Sequence, residues 1–129
     1  MEHKTIDAFI NGVREFNLKE YYNSHEYFED IWLNHNIDDR LFIQALIQLA
    51  VAYFHITNDN KNGAISLFRK ATKKLDNYYN HNKLILNIND VIKSAYESYD
   101  YLQGIDSMNE FKWELAPQLE LNDLVNKKF

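Results

Sequence analysis

From Leu41 to Ile56 the chain reads Leu-Phe-Ile-Gln-Ala-Leu-Ile-Gln-Leu-Ala-Val-Ala-Tyr-Phe-His-Ile, apolar on nearly every side of a helical wheel. A helix with no polar face sits at the centre of a protein, where other elements cover it. The stretch falls short of the ~20 apolar residues of a membrane span and is interrupted by Gln44 and Gln48, so it predicts a buried helix and no membrane partner. The covering elements are also expected to be helical. One proline and three glycines in 129 residues leave few of the tight turns a sheet would need.

The remaining apolar residues fall at helical spacing. Ile6, Phe9, Ile10, Val13 and Phe16 mark a first helix capped by Thr5 and broken at Asn17. Leu18, Tyr21, Tyr22, Phe28 and Trp32 mark a second, to about Asn34. Asp38 or Asp39 caps the central helix. Asn58 to Gly63 reads as a turn whose Asn residues tolerate left-handed backbone and cap the next helix. Ala64, Leu67, Phe68, Ala71, Leu75 and Tyr78 form a fourth helix, and Tyr79 to Lys83 a polar connection. Ile88, Val91, Ile92, Ala95, Tyr96, Tyr99 and Leu102 form a fifth, capped by Asn89 and stopped at Gly104. Beyond it Trp113, Leu115, Pro117, Leu119 and Leu121 alternate with polar residues, the period of an extended segment laid over the bundle. The expectation is one all-α domain over 1–129, a bundle of about five helices with an extended tail over 106–129.

Charge excludes one class of partner. The net charge of −5 argues against nucleic acid, whose phosphates select clustered positive charge. The basic cluster Arg69, Lys70, Lys73 and Lys74 is expected to be a solvated helix face. With no cysteine there are no disulfides and no thiolate chemistry. The N-terminus lacks a basic-then-apolar leader pattern, and the expected location is cytoplasmic or another reducing internal compartment.

Two polar seams interrupt this apolar pattern. His25 and Glu29 are one helical turn apart, on the sector that carries Phe28 and Trp32, so the carboxylate can orient the imidazole. Glu26 lies at the rim of that stripe, toward solvent, and Glu29 is expected inside it. Gln44, Gln48 and His55 share one stripe of the central helix, extended by Arg40. His3, His35 and His81 fall in ends or loops and are expected to be solvated.

The seams admit three readings. They form a ligand-binding pocket of His25, Glu29, Trp32, Gln44, Gln48 and His55, with His25, Glu26 and Glu29 as catalytic candidates. Or His25, Glu29 and His55 ligate a metal for a hydrolase with Glu26 as base, although a zincin helix would need a histidine where Glu29 stands. Or the polar groups satisfy one another and fix helix register in an interaction module, with Trp32 in the core and its indole N–H bonded to Glu29. A small molecule or a second copy of the chain fits as partner, and no cofactor is specified.

The run Phe16-Asn17, Glu20-Tyr21-Tyr22, His25-Glu26, Glu29 and Trp32, followed by Gln44 to Ala50, Ala52 to His55 and Asn60-x-x-Gly63-Ala64, resembles the DUF309 family of uncharacterised proteins over about Phe16 to Leu75. The resemblance implies a helical bundle with a right-handed twist and a His-x-x-x-Glu-x-x-Trp motif carried by His25, Glu29 and Trp32. It implies no particular activity. Where relatives carry glycine before the asparagine of the turn, this chain has Asp59, so the left-handed position there falls to Asp59 or is shifted.

Overall fold

The computed structural model describes residues 3–81 and 85–122. Lys83, at the end of the expected polar connection, and residues 123–129 of the expected tail lie outside them. The architecture is all-α, with five α-helices and no strands among the described residues: α1 His3–Asn17, α2 Tyr21–Asn34, α3 Arg40–Thr57, α4 Lys61–Leu75 and α5 Ile88–Gln103.

α3 lies between α2 and α4, as its sequence requires. By length and composition alone it could cross a membrane, yet half of it is buried inside the protein. It is not buried all round. Phe42, Ile43, Ala45, Leu46, Leu49, Ala50, Ala52, Tyr53 and Ile56 face the core. Arg40, Leu41, Gln44, Ile47, Gln48, Val51, Phe54 and His55 form a stripe that is half-buried or exposed.

Tyr53 is the centre of the core. Its fully buried ring packs edge-on against Phe16 and Phe68 and stacks with Tyr21, and Trp113 and Phe111 reach it from the C-terminal segment. Aromatic pairs in such arrangements are worth ~0.5–1.5 kcal/mol each beyond the area they bury. Ser98 on α5 donates to Leu115 O, so the Tyr53 hydroxyl donates to Ser98 Oγ, at 2.8 Å, and no buried oxygen is left over. Burial pushes the Tyr53 hydroxyl well above the ordinary tyrosine pKa, so it stays neutral.

α1 and α2 cross closely at Gly12. A Cβ there would come within 2.6 Å of the Phe28 ring, and the Gly12 carbonyl accepts from Ser24 Oγ at 2.7 Å. Short turns set the rest of the path. Asp39 caps α3 by accepting from Phe42 N, and Asn60 caps α4 by accepting from Gly63 N. Asp59 takes the left-handed position between them, at φ 54°. A three-residue turn makes α3 and α4 an antiparallel hairpin.

Several local expectations are corrected. Leu18 is exposed and outside α2, which starts at Tyr21. Thr5 is a buried residue within α1 rather than its cap. Asn89 lies inside α5 and bonds to Asn80, with Asn87 at the N-cap position.

After Gly104 the chain lies over the bundle as expected, but Met108–Glu110 and Trp113–Leu115 are single 3-10 turns rather than extended. Two asparagines clasp its end. Asn17 donates to Leu119 O and accepts from Leu119 N, while Asn87 donates to Gln118 O and accepts from Glu120 N. Each side-chain amide thus imitates a strand neighbour, beside the isolated bridge Leu86–Leu121.

Candidate functional site

The two polar seams meet on one open face. α2 and α3 run antiparallel, fixed at one end by the Tyr22 ring against Phe54, 5.3 Å between centroids, and at the other by the Arg40 guanidinium 4.4 Å over the Trp32 ring. Between these contacts lie His25 and Glu29 on α2 and Gln44 and Gln48 on α3. The face is not an enclosed pocket: the Glu29 side chain is 48% exposed and that of His25 16%.

Glu29 therefore points to solvent, contrary to the expectation that it would stay inside. Its position on the wheel explains this, because one step of 100° from Phe28 carries it past the edge of the buried sector. Glu26 is exposed as expected.

His25 is held by its own helix. A carbonyl only accepts, so its Nδ1 donates to Tyr22 O, and the ring sits edge-on to the Tyr22 ring. Nε2 lies 3.6 Å from a Glu29 oxygen, an ion pair when the ring carries both protons. The Trp32 ring is half-buried and covered by Arg40 rather than bonded to Glu29. Over a tryptophan face this cation is attracted by the ring quadrupole.

His55 belongs to the other edge of the stripe. Asn60 Oδ1 is occupied by Gly63 N–H, which leaves the Asn60 amide nitrogen 3.3 Å from His55 Nδ1. An amide nitrogen only donates, so Nδ1 is unprotonated. Burial lowers the His55 pKa from its ordinary value, consistent with that bond. Gln48 carries the unusual group of the stripe: its side-chain oxygen is buried without a hydrogen-bond partner among the described residues.

The metal reading does not assemble. Among the described residues no three His, Asp or Glu side chains form a group that could hold an ion. His25 and Glu29 come together; His55 is engaged with Asn60 instead.

A second polar chain escaped the sequence reading. Asp30 accepts from His35 Nε2 at 3.2 Å, and His35 Nδ1 meets the Thr5 hydroxyl. His35 is thus half-buried, not solvated. Hydroxyl, imidazole and carboxylate in series resemble a nucleophile relay, but Thr5 is 2% exposed and no substrate reaches it. The chain joins the start of α1 to the end of α2, a long-range pairing with no local sequence signal.

Residues 9–67 match the family model described as Domain of unknown function (DUF309). Over these residues the chain is similar to the DUF309 family. The DUF309 match runs from Phe9 in α1 to Leu67 in α4 and takes in Tyr22, His25, Glu29, Trp32, Arg40, Gln44, Gln48 and His55. The basic residues Arg69, Lys70, Lys73 and Lys74 and the whole of α5 lie beyond it. Among curated proteins, none matches the chain.

Proposed function

We propose that this chain is a binding domain whose recognition surface is the outward face of α2 and α3. Tyr22, Trp32 and Arg40 are the residue types that dominate binding energy at protein surfaces, and here they frame a polar strip of His25, Glu29, Gln44 and Gln48. The observation that carries the reading is the buried, unpaired Gln48 oxygen on that strip. An unpaired buried acceptor costs ~1–3 kcal/mol of stability, so a glutamine kept at this position is held for something other than the fold. Glu29 is half-exposed, so the fold does not depend on it.

The test is the unfolding free energy of Glu29→Gln in dilute solution. A recognition surface gives changes within ~0.5 kcal/mol, the range of ordinary surface substitutions. Losses of ~1–3 kcal/mol would instead mark a structural network.

A further inference from the structure

The three helices that form this face carry charge in separate blocks. From Glu20 to Asp39 the chain has Glu20, Glu26, Glu29, Asp30, Asp38 and Asp39 and neither lysine nor arginine. From Asn60 to Leu75 it has Lys61, Arg69, Lys70, Lys73 and Lys74 and no acid. α2 is thus an acidic flank and α4 a basic one, with α3 between them. Along α3 the outward stripe holds exposed Leu41 and half-buried Ile47, Val51 and Phe54 together with the two half-buried glutamines.

The flanks are aimed at the same side. α4 uses Phe68 and Lys61 toward α5 and the chain after it, through the Phe68–Tyr99 stack and a Lys61–Ile105 bond. Helical periodicity then puts Leu67, Lys70 and Lys74 on the opposite edge, beside the α3 stripe. On α2 the Tyr22 and Trp32 contacts put His25 and Glu29 beside that stripe from the other side.

We propose that this face binds a second copy of the chain, through a two-fold axis running along α3. The proposal rests on the recognition surface proposed above and names its occupant. Such an axis lays the acidic α2 of one copy over the basic α4 of the other, twice, and lays α3 on α3. An axis across α3 would stack α2 on α2 and α4 on α4, like charge on like, which costs several kcal/mol. Register agrees with the first arrangement. Positions equidistant from the 58–60 turn put Lys74 level with Gln44 and Lys70 level with Gln48. The antiparallel contacts Tyr22–Phe54 and Trp32–Arg40 put Glu29 level with Gln44 and Glu26 level with Gln48. Glu29 therefore meets Lys74 of the second copy, and Glu26 meets Lys70. The two Gln48 positions lie level with each other on either side of the axis. An isologous contact of this kind closes on itself and stops at the dimer.

The experiment is sedimentation equilibrium on the full chain, on Glu29→Lys, on Lys74→Glu and on the two variants mixed, with thermal melts to confirm that each variant folds. The full chain is expected to dimerise and to dissociate as salt rises. Each swap alone places like charges together twice and raises the dissociation constant about tenfold or more. The equimolar mixture restores both opposite-charge pairs in a heterodimer and recovers association. A chain that stays monomeric up to ~1 mM overturns the proposal, as does a dimer indifferent to the swaps or a mixture that fails to recover. None of these outcomes alters the stability of Glu29→Gln in dilute solution, so the recognition surface and its occupant are judged separately.

Discussion

At the scale of single residues, the helical alignment of the polar groups was legible and their depth was not. Gln44, Gln48 and His55 share a stripe because 3.6-residue periodicity is enough to align them, and they do line the half-exposed edge of α3. Whether that edge was covered depended on which helices lay beside it, so the expected buried seam became an open face. Glu29 went from inside to outside for the same reason. Thr5 and His35 could not have been paired from sequence, being joined only through tertiary contact. His55 gives a prediction at this scale. Its pKa is lowered by burial, so the unfolded chain takes up the proton first and stability must rise with pH. The His55 contribution is fully present above the unfolded value of about 6.5 and is lost as pH falls below it. Melting temperatures of the full chain should therefore fall more between about pH 7 and pH 5 than those of His55→Gln, whose other histidines are unchanged. Equal slopes would contradict the assignment.

At the scale of elements, the helices were readable because each carries an apolar stripe of adequate length, and the caps Asp39 and Asn60 stand where short polar runs placed them. The C-terminal segment was half readable. Its alternation of apolar residues predicted packing on the bundle, and Pro117 and Leu119 are buried while Trp113, Leu115 and Leu121 are half-buried. Its fastening was hidden, because Asn17 looked like a helix breaker and nothing near Asn17 or Asn87 announces a partner a hundred or thirty positions away. The clasp predicts local behaviour. In Asn17→Ala, amide exchange at Leu119 should quicken about tenfold, the loss of ~1–1.5 kcal/mol expected of hydrogen bonds to neutral groups, while the α3 amides around Tyr53 keep their protection. Exchange quickening equally throughout the bundle would show that the segment is not a separate unit.

For the whole molecule, the order of charge along the chain becomes a layout in space only after the fold is formed. A net charge of −5 concealed an acidic helix and a basic helix on opposite flanks of one apolar strip. The basic cluster read as an ordinary solvated surface is one flank of the proposed interface. At the centre of that strip the Gln48 oxygen is buried unpaired, which works against stability. Methionine has nearly the shape of glutamine, is flexible enough to fill the same space and has no strong acceptor. The most direct measurement is the unfolding free energy of Gln48→Met against the unmodified chain, by urea titration at a protein concentration low enough to keep both monomeric. Removing an unpaired acceptor should raise it by ~1 kcal/mol, showing that the chain holds Gln48 at the expense of its own stability. A fall of ~1 kcal/mol or more would mean that Gln48 is already bonded within the fold, and the face would lose its claim to be a recognition surface.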